Sequence, residues 1–134
     1  MKGAKGPVRN MAISFHIEKE KALTVFKATG ALRFDEVMPA VQSFYADNPT
    51  KHVLWDLLKI TDIQLSSEEV EAIVSYRPRY HGKREAGKTA FVAQKDVLFG
   101  LSRMFEMESE VRNAPYPIMV FRSLKEALQW FAED

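Results

Sequence analysis

The feature that most restricts the fold is the stretch of residues 52–76, where an apolar run passes through a polar crossing into an amphipathic helix. His52, Val53, Leu54, Trp55, Asp56, Leu57 and Leu58 are almost uniformly apolar. A strand with one wet face alternates; a run of this kind needs cover on both faces, as in the middle of an α/β sheet. The helix after it has its own start signal. Ser66 followed three residues later by Glu69 is a capping-box spacing, in which the hydroxyl accepts from the Glu69 amide and the carboxylate reaches back to the Ser66 N–H. Val70, Ile73 and Val74 then supply the buried stripe.

The rest of the chain flanks this stretch. Residues 12–17 and 23–28 are β-rich runs separated by the charged residues 18–21, which predicts a hairpin. Gly30 is placed to permit the exit turn, and Asp35 is the expected N-cap of a helix carrying Val37, Met38, Val41, Phe44 and Tyr45. Pro39 falls in its first turn, where amides have no intrahelical partner. Residues 77–88, with Pro78, Gly82 and Gly87, read as a loop, and residues 89–93 as a second buried strand. Asp96 is the expected cap of a third helix, residues 97–111, with Leu98, Leu101, Met104, Phe105 and Glu108 at helical spacing. Residues 118–121 form a further strand. Ser123 with Glu126 gives a second capping box, opening a last helix that carries Leu124, Ala127, Leu128 and Phe131. The order β-β-α-β-α-β-α-β-α predicts one α/β domain with a five-stranded, mostly parallel sheet, an antiparallel first hairpin and four helices.

Composition excludes several classes. At 134 residues the chain is one domain, and 46% hydrophobic with 28% charged residues is the balance of a soluble globular protein. The absence of cysteine removes disulfides, thiolate metal sites and cysteine nucleophiles, and fits a reducing compartment. No run approaches the roughly 20 apolar residues of a membrane span, and the first residues lack a secretion-signal core, so a cytoplasmic location is expected. The net charge is +1, but Lys2, Lys5 and Arg9 contribute three positive charges within residues 1–10, which leaves the remainder at −2. That balance argues against nucleic acid as a partner. Residues 1–10, with Gly3, Gly6 and Pro7, are expected to be a flexible leader to a domain spanning 11–134.

The element order and residues 52–76 resemble the sulfate-transporter and anti-sigma-factor-antagonist (STAS) domain, the SpoIIAA-like fold, over about residues 13–131. In that family the central strand runs into a segment ending Asp-Ser-Ser-Gly. Its second serine, at a helix start, is phosphorylated by a partner kinase in the antagonist proteins. Ser66 and Ser67 stand at the serine positions, but Leu65 replaces the Asp and Glu68 replaces the Gly. The segments DVLFGLSRMFEM, from Asp96, and VFRSLKEALQWF, from Val120, are similar to a divergent bacterial branch of the superfamily with no assigned activity. The resemblance implies a non-catalytic regulatory or interaction module that acts through protein contacts. The same fold class includes Sec14-like lipid-binding domains, which implies by analogy an alternative role as a small-molecule or lipid-binding protein with an apolar cleft.

Four groups of residues are candidate sites. Phosphate on Ser66 or Ser67 would add roughly −1.5 to −2 charge at a helix start, which the helix dipole favours. Glu68, Glu69 and Glu71 oppose it, and capping alone accounts for the serines. Asp56, Asp62 and Asp96 are expected near the carboxyl ends of parallel strands, where open α/β sheets place ligands. No glycine-rich phosphate loop, Gly-x-Ser-x-Gly elbow or His-x-x-x-His pair accompanies them, and His16, His52 and His81 are scattered, so no catalytic residue, metal or cofactor is expected. Arg77, Arg79, Lys83 and Arg84, with Lys88 and interleaved Tyr76, Tyr80 and His81, are a candidate anion site, against the simpler reading of a solvated loop. Gly100 sits mid-helix at a cost of about 1 kcal/mol relative to Ala. Phe99, Arg103, Met104 and Met107 around it make that helix apolar on more than one side, and Phe99, Gly100, Arg103 and Met107 are a candidate homodimer interface against the alternative of extra core.

Overall fold

In the computed structural model, which describes residues 5–7, 13–47, 49–76, 84, 86–111 and 116–133, the apolar run forms strand β4 (His52–Gln64) in the interior of one sheet. Its neighbours are β3 (Leu23–Arg33) and β5 (Thr89–Val92), both parallel to it. Strand β6 (Ile118–Phe121) continues the parallel set beyond β5, and β2 (Ile13–Glu18) pairs antiparallel with β3 in the expected hairpin. All five expected strands are present. A short additional strand, β1 (Lys5–Pro7), lies antiparallel on β2, so three residues of the expected leader extend the sheet at that edge. Helices α1 (Phe34–Asp47), α2 (Ser67–Ser75), α3 (Asp96–Val111) and α4 (Leu124–Phe131) follow β3, β4, β5 and β6.

The helices cover the two faces unequally. Phe26, Val53, Trp55, Leu57 and Phe91 face α1, α2 and α3, meeting Val37, Phe44, Val70, Val74, Leu98 and Phe105. Leu23, Val25, Leu54, Ala90 and Val92 face α4 through Ala127, Leu128 and Phe131. Period-two alternation thus sends neighbouring residues of β4 into different cores, which is why the run reads as continuously apolar. Trp55 stacks on Phe26 of the adjoining strand with ring centroids 4.4 Å apart and planes 14° from parallel.

Both central strands run further than the sequence suggests. Strand β3 passes through Gly30, whose φ is +72°, and the β3–β4 register slips there and again between Lys27 and Thr29. Gly30 therefore makes a bulge within the strand, at a conformation that a side chain would strain, rather than a turn out of it. Strand β4 continues to Gln64 beyond the end of β5, pairing only with β3, and Lys59, Thr61 and Asp62 are exposed. Their polarity marks a strand that has lost its neighbour on one side.

The helix starts are partly as expected. Ser66 Oγ accepts from Glu69 N–H at 3.1 Å and Glu69 Oε1 accepts from Ser66 N–H at 2.9 Å, which completes the capping box. Ser123 Oγ accepts from Glu126 N–H at 3.2 Å, one arm of the second box. Asp35 lies inside the first turn of α1, where it pairs with Arg33 at 2.8 Å instead of capping the helix. In α3 the buried positions are Leu98, Ser102, Phe105 and Ser109, at steps of four, three and four residues. Met104, expected on that stripe, is 43% exposed, because at 100° per residue it lies on the opposite side of the helix.

Candidate functional site

The most constructed region lies at the amino ends of β4 and β5. Arg84, expected in a charged surface loop, is only 3% exposed. Its Nε donates to the Lys51 carbonyl at 3.1 Å, and its Nη1 to the Tyr45 hydroxyl at 3.3 Å. Nη2 donates to the Lys88 carbonyl at 2.9 Å and to Thr89 Oγ1 at 3.1 Å. One guanidinium thus ties together the residue before β4, the start of β5 and helix α1. Its carbon lies 4.1 Å from the Tyr116 ring centroid and 5.9 Å from that of Phe44, within cation–π reach. Arg77, Arg79 and Lys83, the other members of the candidate anion site, lie outside the described residues.

Arg84 also lines a partly enclosed cavity of about 110 Å³ between the sheet and helices α1, α2 and α3. Phe44, Tyr45, Trp55, Phe91 and Phe105 make most of its apolar wall. A second space of about 50 Å³, toward Leu32 and Leu65, shares Val41, Trp55, Ile73, Phe91 and Phe105 with it. An apolar cleft is only an analogy at the level of sequence, and nothing in the residue pattern locates this cavity. Its lining residues have the spacing of ordinary core positions, and the volume left between side chains is not a property of periodicity.

His52 closes this end of the sheet. Its Nδ1 accepts from the Lys88 amide at 3.1 Å, and its ring lies 5.1 Å from that of Phe131. Burial, followed by the positive charges of Lys51, Lys88 and Arg84, pushes its pKa down from 6.5 to about 4. The unfolded chain therefore takes up this proton near pH 6.5 and the folded chain only near pH 4. For this group stability is full above pH 6.5, falls as the pH drops toward 4, and is level below. Between pH 7 and 4.5 the wild type should lose about 2 kcal/mol more than His52→Asn, at up to 1.4 kcal/mol per pH unit. Urea unfolding of both proteins at the two pH values checks this; parallel losses would refute it.

The strand-end carboxylates are not brought together. Asp56 is buried, lies level with the last residue of β5, and accepts from the Leu58 amide at 3.1 Å. Asp62, six residues or about 20 Å further along the strand, accepts from the Ile63 amide and the Gln64 side chain. Asp96 begins α3 and accepts from Arg122 Nη2 at 3.1 Å. Each carboxylate has a local structural partner, and no group of three or more acidic or histidine side chains among the described residues is arranged to hold a metal.

Ser67, the second serine of the pair, is the first residue of α2 and exposed, and its hydroxyl faces Glu68 Oε1 at 3.5 Å. Ser66 is occupied in the capping box. On α3 the outward side carries Val97, Met104 and Met107, which are 74%, 43% and 61% exposed, with Gly100 between them. A Cβ on Gly100 would meet nothing within 4 Å, so no neighbour in the chain requires a glycine there. Arg103 pairs with Glu106 one turn on at 3.4 Å. Phe99 turns toward β6, where the Arg122 guanidinium lies 4.3 Å from its ring centroid.

No family model matches the chain, and no curated protein does. Solved structures do. An uncharacterised DUF3478-family protein with a SpoIIAA-like fold from Shewanella loihica PV-4 matches 95% of this chain and 100% of its own, at 20% identity and a TM-score of 0.56. An anti-sigma factor antagonist from Mycobacterium paratuberculosis matches 90% of this chain and 95% of its own, at 13% identity and a TM-score of 0.61. The fold is thus SpoIIAA-like across nearly the whole length. No helix among the described residues is long and apolar enough to cross a membrane.

Proposed function

We propose that the chain is a non-catalytic regulatory module that works through protein contacts, and that its first partner is a second copy of itself. The observation that carries this reading is the outward side of α3. Leu98 and Phe105 already bury the inner side, so Val97, Met104 and Met107 add nothing to the folding of the single chain. Exposed methionines suit a contact surface, because a long, unbranched thioether adapts to whatever it meets. Burial against a second copy would remove apolar area from water at about 25 cal/mol per Å², and two-fold symmetry would apply each contact twice. Gly100, open on its Cβ side, lets another backbone come close. The likeness to an anti-sigma factor antagonist supports a regulatory role of the same kind.

Sedimentation equilibrium of the wild type and of the double variant Met104→Glu, Met107→Glu tests the self-contact. The wild type should be a dimer at tens of micromolar, and the variant, which places two charges in the contact, should be a folded monomer with at least about 100-fold weaker association. A monomeric wild type, or a variant that remains dimeric, would refute this interface.

A further inference from the structure

The geometry points to the cavity beside Arg84 as a binding site for a small apolar carboxylate, one with a ring or a branched chain of about six to ten heavy atoms, whose carboxylate meets the guanidinium while its apolar part fills the aromatic-lined space. The first support is a buried charge with no counter-charge among the described residues. The partners of Arg84 among the described residues are two carbonyl and two hydroxyl oxygens, all neutral. No ion pair among the described residues includes it. These bonds use four of the five guanidinium donors, but none of the four partners offsets the positive charge, and the side chain is only 3% exposed. One Nη1 hydrogen remains, and a carboxylate oxygen accepting from it would make a charge-assisted bond and supply the missing negative charge.

The second support is the surrounding field. After burial, the largest cause, the charges of Lys51, Lys88 and Arg84 lower the proton affinity of His52, so two further cations stand at this end of the sheet beside Arg84. The third is size. A cavity of about 150 Å³ lined by apolar side chains takes a benzene ring. The 110 Å³ beside Arg84, with 50 Å³ adjoining it, suits a ring or a branched chain and is too small for a long acyl tail. Rings at several angles, with Phe91 and Phe105 edge to face at 77° and Phe26 and Trp55 stacked, give a flat ligand both faces and edges to pack on.

Benzoate is the probe, benzamide its neutral isostere and decanoate the long-chain control, each followed through the amide spectrum of the full chain. Benzoate should bind with a Kd of about 1 mM or tighter, benzamide at least about tenfold more weakly, and decanoate no better than benzoate. Ile73→Trp, which fills the space shared by both parts of the cavity, should abolish the benzoate shifts in a protein that keeps its far-UV spectrum. Val41→Phe serves in its place if that variant does not fold. Absence of benzoate binding at about 10 mM, equal binding of benzamide, tighter binding of decanoate, or benzoate binding that survives a folded filled variant would each overturn the proposal. None of these outcomes depends on the α3 contact.

Discussion

Replacing Arg84 with Met should lower the unfolding free energy by about 3 kcal/mol, although it removes a buried charge. Two effects oppose each other. Taking out of the interior a charge that has no ion-pair partner among the described residues is worth several kcal/mol, and Met fills much of the same volume. Against that stand four hydrogen bonds from a charged donor, at about 1.5–3 kcal/mol each. They end on the Lys51 and Lys88 carbonyls, the Tyr45 hydroxyl and Thr89 Oγ1. Lys88 O keeps a second partner, the Val53 amide at 3.0 Å, so its loss is the smallest. Thr89 is buried and its hydroxyl would be left without this donor. The bonds outweigh the relief. Arg84→Lys should recover little, since one ammonium cannot reach four oxygens spread over a planar fork. Urea unfolding at pH 7 measures both variants; a loss below about 1 kcal/mol for Arg84→Met would mean that the relieved charge cancels the bonds.

How far the sequence could be read depends on what kind of signal each element leaves. Strand β4 and helix α2 were legible because an unbroken apolar run and a Ser-x-x-Glu spacing are local patterns, and the capping bonds of Ser66 and Glu69 follow from them. The parallel run of β3, β4, β5 and β6 follows from the alternation of strands and helices. Arg84 was not legible. A basic residue among Arg77, Arg79 and Lys83 reads as a solvated charge, and its burial is decided by Tyr45, Lys51 and Thr89, which are 39, 33 and 5 residues away in sequence. The outward face of α3 was half legible. The sequence places Met107 and Gly100 on it, but leaves Met104 on both sides and puts Phe99 on the outer one. Ser102 and Ser109 misled that reading, because two buried serines on the inner stripe disguise its phase, and apolar residues alone place it one position away. Gly30 misled it for another reason. A glycine at positive φ serves a bulge as readily as a turn, and only the pairing of Ala31, Leu32 and Arg33 with β4 distinguishes them.

Gly87→Ala should be as damaging as the loss of Arg84, at about 3 kcal/mol, for a reason that shares an atom with it. Gly87 is buried, and a Cβ there would collide with the Lys51 carbonyl oxygen and come within 2.8 Å of the Arg84 carbonyl oxygen. Both obstacles are backbone, so neither can swing aside as a flexible side chain would. The segment must instead move away from Lys51, and the Lys51 carbonyl is the acceptor for Arg84 Nε. The Gly87 amide, which donates to the Arg84 carbonyl at 2.7 Å, would be pulled from its partner by the same shift. Each substitution thus breaks the docking of one segment against the residue before β4, and the second has less left to break. In a double-mutant cycle the two should be strongly sub-additive, with Arg84→Met, Gly87→Ala losing about 4 kcal/mol where independent sites would lose about 6. Full additivity would show that Gly87 and Arg84 act through different contacts. The same cycle bears on the cavity, because a guanidinium pulled off Lys51 no longer holds its place in the wall beside Tyr45 and Phe44.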